Sequence, residues 1–208
     1  MLPLSILARP APAAAASSPA DDPAVVALVD RVVSTRDPAA FGELYDLFLD
    51  RVYRYLYYRT GSQVDAEDLT EQVFLHAWAS IDRFQWRGKP FRAWLYTLAH
   101  NALVDHRRRS RATTSLDNPE HPIDRPSEHA AQALHQWMDA EVLARAISQL
   151  TPEQQQVIVL RFVEGQDTAE IAAMMGKREG TIRALQFRAL QSLRRILVQQ
   201  GQGPHASD

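Results

Sequence analysis

Helical periodicity stops over residues 111–129 of this chain and then resumes. That interval holds Pro119, Pro122 and Pro126, the acids Asp117, Glu120, Asp124 and Glu128, and the run Thr113-Thr114-Ser115, with no apolar repeat. Proline removes a backbone donor and pushes the preceding residue out of the α region, so no helix can run through such a stretch. The chain is therefore limited to two separate helical blocks, residues 24–110 and 130–198, joined by a flexible, acidic, Pro-rich linker. Residues 1–23 form an Ala-, Pro- and Ser-rich tail that reads as disordered. The opening apolar run is broken by Pro3 and has no basic residue ahead of it, so it does not read as a signal peptide. Residues 199–208 are a C-terminal tail too short for an additional regulatory domain.

Within the blocks the apolar spacing is helical throughout, and no strand-length alternation occurs. Val25, Leu28, Val29, Val32 and Val33 recur at helix spacing, as do Phe41, Leu44, Tyr45, Phe48, Val52, Tyr55 and Leu56 up to Thr60-Gly61-Ser62. Asp65-Ala-Glu-Asp68 then places acids where a helix start prefers negative charge, with Leu69, Val73, Ala77 and Trp78 on one face behind them. In the second block, Thr151-Pro-Glu-Gln154 predicts an N-cap, a proline at the first helical position and a capping-box Gln, and Asp167-Thr-Ala-Glu170 repeats the logic with an Asp cap. The fold class is all-α.

The sharpest local signature is in the second block. A short helix from Asp167 to Met175, a turn at Gly176 and a longer helix from about Glu179 to Val198 make a helix-turn-helix. At about 100° per residue, Ile182, Leu185, Ala189, Leu193 and Ile196 form the inward stripe. Arg183, Ala184, Phe187, Arg188, Gln191 and Arg195 are left facing outward, a face suited to phosphates and base edges. Two packed helices in any bundle would share this spacing.

The same reasoning applies to the helix expected from Pro90 to about Arg109. Phe91, Trp94, Leu95, Leu98, Ala99 and Ala102 face inward. Arg92, Tyr96, His100 and Arg107 take one outer flank, and Thr97, Asn101 and Arg108 the other. Aromatic and basic side chains interleaved on one helix can stack bases and hold a phosphate backbone. A solvated helix whose basic end complements its dipole would look similar.

Net charge is only −2, so the chain lacks the overall basic excess of proteins that bind nucleic acid unaided, and any such binding must be local or assisted. It has no cysteine, which removes disulfide scaffolds, thiolate zinc sites and cysteine nucleophiles, and accords with a cytoplasmic location. No apolar run approaches the roughly 18 residues of a membrane helix, so membrane insertion is not expected. His100 and His106 lie about 240° apart on a regular helix and cannot share an ion. No Gly-rich phosphate loop, Gly-x-Ser-x-Gly elbow or His-Glu-x-x-His occurs, so neither catalysis nor a metal or cofactor is expected.

Asp65-Ala-Glu-Asp-Leu-Thr-Glu-Gln-Val-Phe-Leu-His-Ala-Trp78, Phe91-Arg-Ala-Trp-Leu-Tyr-Thr-Leu-Ala-His-Asn101 with its arginine run, Leu150-Thr-Pro-Glu-Gln-Gln-Gln-Val157, and Glu170-Ile-Ala followed by Gly176 and Gly180-Thr-Ile stand in this order. Together they resemble the bacterial extracytoplasmic-function sigma factors over about residues 41–197. The resemblance implies that the first block grips the clamp helices of core RNA polymerase and melts the −10 promoter element. It implies that the second reads the −35 element, and that the linker threads toward the RNA exit path. By position, Glu67, Asp68, Glu71 and Gln72 match the polymerase-binding segment. Asn101 matches the residue that captures a flipped base, assisted by the loop at 84–90 with Phe84 and Trp86, while Arg92, Tyr96, His100, Arg107 and Arg108 serve the opened strand. Thr181, Arg183, Ala184, Phe187 and Arg188 fall in the DNA-reading helix. Many relatives carry a basic residue where this chain has Leu185, and leucine where it has Gln186, so promoter preference does not transfer. An anti-sigma partner is usual in such a family.

Two other readings stay open at this level. A stand-alone helix-turn-helix regulator accounts for the second block but not for the strand-opening motif of the first. A helical adaptor of the transcription machinery accounts for the near-neutral charge but not for the arginine-ended helix. The polymerase assignment makes a direct prediction: Asp68→Lys with Glu71→Lys abolishes co-purification with core polymerase, while the helical circular dichroism of the isolated chain is unchanged.

Overall fold

A computed structural model describes residues 22–86, 90–113 and 131–199, and every regular element among them is helical. Helix ends fall where the side chains can satisfy them. Asp22 accepts the Ala24 N–H at 3.0 Å and Pro23 opens α1 (Pro23–Thr35). Asp37 accepts from Ala39 and Ala40, and Pro38 opens α2 (Pro38–Thr60). The apolar recurrence between Val25 and Leu56 is thus cut into two helices at a cap-and-proline pair. Arg36 ends α1 in the left-handed region (φ 53°). Its guanidinium lies 4.8 Å over the Trp78 ring and donates to the Trp78 carbonyl at 2.8 Å, contacts that offset the cost of that conformation. Gly61 ends α2 at φ 71°, and Ser62 caps α3 (Gln63–Ser80) by accepting from the Asp65 N–H.

A 3₁₀ turn (Ile81–Arg83) leads through Phe84 to α4 (Phe91–Thr113). Pro90 stands just outside α4, its carbonyl accepting from Ala93, rather than inside the first turn as the sequence predicts. The helix also continues past Arg109 into residues assigned above to the linker. The rest of that linker (114–129), residue 130, the tail at 1–21, loop positions 87–89 and residues 200–208 lie outside the described residues.

α2 and α3 run antiparallel, with Tyr45 edge-on to Phe74 and Phe41 edge-on to Trp78 at ring separations of 4.7 and 4.9 Å. α4 closes this layer with Phe91, whose ring meets both Phe48 and Phe84 at 5.6 Å. Leu44, Leu56, Leu69 and Leu95 are fully buried here, each contributing about 1.5–3 kcal/mol through burial.

The second block comprises α5 (Ala131–Ser148), α6 (Pro152–Ile158), α7 (Thr168–Met175) and α8 (Glu179–Gln199). Both expected capping boxes are present, Thr151 with Gln154 and Asp167 with Glu170. Gly176 ends α7 at φ 63°. Ile182, Leu185, Ala189 and Leu193 are buried as the wheel predicts, with Ile196 half-buried. One feature is absent from any periodicity argument. α6 does not stop at Ile158 but widens into a π-helical turn (Val159–Val163), the Glu164 N–H reaching back five residues to the Val159 carbonyl at 3.0 Å. Such turns re-aim a side chain, and here the one re-aimed is Glu164.

The two blocks pack against each other. α2 lies along α5 and the π turn, α7 lies on α4, and the buried apolar residues of both blocks form one continuous core. At Gly61 the chains approach so closely that a Cβ there would stand 3.4 Å from the Ser148 side chain. The left-handed backbone at Gly61 predicts that Gly61→Ala destabilises the fold by about 1 kcal/mol. A urea titration monitored by circular dichroism measures this; an unchanged midpoint contradicts it.

Candidate nucleic-acid interface

α4 carries one flank that stays open and one that the second block covers. On the open flank Thr97, Asn101 and Arg108 are exposed, as the wheel predicts. Asn101 lines a groove of about 230 Å³ between α3 and α4 with Gln72, Val73, His76, Asp105 and Arg109. A residue assigned to polymerase binding and one assigned to base capture thus share one groove, although 29 positions apart in sequence.

The other flank differs from the sequence expectation. Arg92, Tyr96, His100 and Arg107 were placed facing outward, yet Arg92 and Tyr96 are 3% and 4% exposed and the other two are half-buried. The cause is tertiary, since this flank is the seam against the second block. The Arg92 guanidinium pairs with the Glu170 carboxylate, which also serves the capping box of α7 through its other oxygen. The Tyr96 hydroxyl donates to Glu164 Oε2 at 2.6 Å, and Arg54 Nε reaches Glu164 Oε1 at 3.4 Å. Arg107 donates to the Gln155 side-chain oxygen and, at 2.7 Å, to the Arg59 carbonyl.

Burial raises the Glu164 carboxyl above the usual range even though Arg54 opposes the shift, and burial with the Glu164 charge raises Tyr96 further still. Around His100 the surroundings are cationic. Arg59 Nη1 stands 3.3 Å from His100 Nδ1, and burial, then Arg59 and Arg107, hold the imidazole down at about 4. The ring is neutral at pH 7 and adds no positive charge to this flank. His106 instead pairs with Asp65 on α3 at 3.7 Å. Among the described residues no cluster of His, Asp and Glu offers a metal site.

Phe84, expected in the loop that assists base capture, is buried. It is 7% exposed, boxed by Trp86, Phe91 and Trp94, because a phenyl ring beside so many apolar rings gains more from burial than from water. Trp86 is partly exposed, its indole N–H donating to Asp30 of α1 at 2.9 Å. The rest of the proposed capture loop, 87–89, lies outside the described residues.

The outward side of α8 is open. Thr181, Arg183, Ala184, Phe187 and Arg188 are all exposed, Phe187 at 63%. Arg183 pairs with Glu179 at 2.7 Å one turn back, an exposed pair that restrains the side chain at little energetic cost to a competing phosphate. On α3, Asp68, Glu71 and Gln72 are exposed and Glu67, half-buried, accepts from Gln63. Val64 and Leu75, exposed at 63% each, extend the Asp68 and Glu71 stripe at both ends at i, i+4, i+7 and i+11 spacing. Sequence reasoning passed over these two, and the signal was present: apolar residues on the polar face of an amphipathic helix. It also passed over Arg54 and Glu164, and it gave Gln155 and Glu170 motif or capping roles alone, because no spacing rule connects these four to α4.

An acidic helix, a second helix with an exposed amide beside it, and a separate helix-turn-helix, in that order, define a promoter-recognition subunit of the sigma type. Residues 44–113 match the family model of Sigma-70 region 2, and residues 146–195 that of Sigma-70, region 4. The chain is 39% identical over 181 residues to the ECF RNA polymerase sigma factor BldN of Streptomyces coelicolor, covering 85% of this chain and 67% of that protein. It is 30% identical over 165 residues to the ECF RNA polymerase sigma factor SigL of Mycobacterium tuberculosis, covering 79% and 93%. Among solved structures, the sigma factor RpoE in complex with the anti-sigma factor NepR from Bartonella quintana superposes with a TM-score of 0.61 at 25% identity, covering 76% of this chain and 96% of that one. The chain belongs to the extracytoplasmic-function sigma factors of RNA polymerase. It is a transcription initiation factor that gives core polymerase its promoter specificity, and such factors are in general non-enzymatic.

The buried, neutral His100 predicts a pH effect with a definite sign. An unfolded chain takes up a proton near 6.5 that the folded chain refuses until about 4, so His100 makes stability fall as pH drops through that window. Glu164, its carboxyl raised by burial, acts in the opposite direction. Comparison with His100→Gln isolates the imidazole: denaturant midpoints at neutral pH and about pH 5 should differ less in the variant than in the parent.

Proposed function

We propose that three faces of this chain divide the work of initiation. The α3 stripe of Asp68, Glu71 and Gln72, with Glu67 beside it, docks on the clamp helices of core polymerase, and exposed Val64 and Leu75 add apolar contact at its ends. The α8 face of Thr181, Arg183, Ala184, Phe187 and Arg188 reads the −35 duplex. The α4 region opens and holds the −10 strand, with Asn101 receiving an extruded base and Arg108 its backbone, while Trp86 flanks it. Arg92, Tyr96, His100 and Arg107 join that surface when the second block moves away, and Phe84 acts by packing beneath the loop.

The observation that carries this reading is the exposed amide of Asn101 in the groove that α3 and α4 form together. An amide can pair with the Watson–Crick edge of a base only once that base has left the duplex, and the groove gives an extruded base walls to lie against. The chain performs no bond chemistry and works in the cytoplasm; no helix among the described residues is long and apolar enough to cross a membrane. A solved relative is held by an anti-sigma factor, and an antagonist of that kind is the proposed regulator of this one.

Duplex reading and strand opening fail differently when cut back. Arg183→Ala or Arg188→Ala should weaken closed-complex binding by about 1–3 kcal/mol, with normal opening once bound. Asn101→Ala should leave closed complexes intact and make permanganate-reactive bubbles scarce, and a premelted template should rescue transcription. If a premelted template repairs Asn101→Ala no better than Arg183→Ala, Asn101 is not a base-capture residue.

A further inference from the structure

The segment between α3 and α4 carries an exposed tryptophan whose orientation is fixed. Trp86 is 41% exposed and stands edge-on to the buried Phe84 ring at 4.9 Å. An indole has one hydrogen-bond donor, and here it is engaged: Nε1 donates to Asp30 Oδ1 of α1 at 2.9 Å, across 56 positions of sequence. The ring is held at its N–H edge from α1 and by its neighbour Phe84, and its exposed part is open for stacking.

Asp30 is unexpected on grounds of charge. α1 buries Leu28, Val29 and Val32 and leaves Asp30 exposed beside a residue assigned to the opened strand. A carboxylate in that position repels a phosphate backbone, and accepting the indole N–H gives it a use that offsets the repulsion. The other end of α1 acts on the same segment. Arg36 donates to the Trp78 carbonyl at 2.8 Å and stands 3.8 Å from Asp82. α1 therefore grips the segment at Trp78 and Asp82 and again at Trp86, while Phe84 between them packs against Phe91 and Trp94 at 5.6 and 5.4 Å. Because α1 ends before residue 44, where the match to Sigma-70 region 2 begins, this grip comes from outside the matched segment.

We infer that Asp30 is a positioning residue for promoter opening: by accepting the indole N–H it fixes the Trp86 ring as a stacking surface for the unpaired strand. The inference rests on the assignment of α4 and Trp86 to the opened strand. It adds to that assignment a residue of α1 that acts through Trp86. A ring free to rotate must be ordered each time a base stacks on it, and a ring already held does not pay that entropy. The hydrogen bond therefore favours the open complex and leaves the duplex complex that precedes it unaffected.

The test uses the full chain with core polymerase and a promoter fragment that the parent holoenzyme transcribes, both as duplex and with its −10 stretch premelted. Asp30→Ala should lower permanganate-reactive open complexes about three- to tenfold, the size of one net hydrogen bond, with closed-complex binding unchanged. The premelted template should restore transcription. Asp30→Asn keeps an oxygen acceptor without the charge and should restore opening on duplex. Trp86→Phe keeps a ring but loses the N–H; it should lose opening at least as far as Asp30→Ala, and the double variant should be no worse than Trp86→Phe. Opening by Asp30→Ala at the parent's level, while Trp86→Ala opens poorly, overturns the role of Asp30 and leaves that of Trp86. Additive losses, or an Asn variant as poor as the Ala variant, overturn the hydrogen bond as the cause. Equal loss of closed and open complexes makes Asp30 a stability residue and overturns the inference as well. If Trp86→Ala and Asn101→Ala both open like the parent, the strand-opening assignment falls, and the role of Asp30 with it.

Discussion

Glu164 holds its carboxylate almost completely out of water, between the Tyr96 hydroxyl and the Arg54 guanidinium. A buried carboxylate is tolerated only where its oxygens are hydrogen-bonded and an opposite charge is near, so these three residues constrain one another's positions. The π turn that follows α6 provides the placement: the extra residue per turn rotates Glu164 out of the helical stripe, and Gln166 then ties the loop by donating to the Glu164 carbonyl at 3.1 Å. The docking of α7 on α4, and the pairing of Glu170 with Arg92, follow from where that loop leads.

This arrangement sorts the surfaces of the protein into open and closed. The acidic stripe on α3, the Asn101 groove and the face of α8 look outward, and each has the chemistry its assigned partner needs. The opposite flank of α4 is satisfied internally. Of the α4 arginines, Arg92 is neutralised by Glu170 of the second block, while Arg108 stays exposed beside Asp105. Membership of the extracytoplasmic-function sigma factors sets the function; the seam describes how this chain arranges its two Sigma-70 regions around it.

Helix identity and most helix ends were legible in the sequence because they are local. Thr151 with Gln154, Asp167 with Glu170, and Gly61 and Gly176 at left-handed ends each act within a few residues, and spacing alone identifies them. The inward stripe of α8 was legible for the same reason: a helix with one packed face leaves its opposite face to solvent. The motifs at 65–78, 91–101, 150–157 and 170–182 carried the resemblance to the family, and the similarity to known sigma factors showed it.

The wheel applied to α4 gave the right inward face and the wrong surroundings for Arg92, Tyr96, His100 and Arg107. Periodicity describes how many sides of a helix are apolar, and a polar side buried against another domain through ion pairs has the same pattern as one left in water. Glu164 pairs with Tyr96 across 68 positions, Glu170 with Arg92 across 78, and Arg54 with Glu164 across 110. Contacts of that span carry no local signature, and apolar periodicity does not mark the π turn that precedes Glu164. Sequence by itself therefore determined the helices, their caps and the family. Only the tertiary structure decided which flank of α4 is open, because that depends on where a second block folded from distant residues comes to rest.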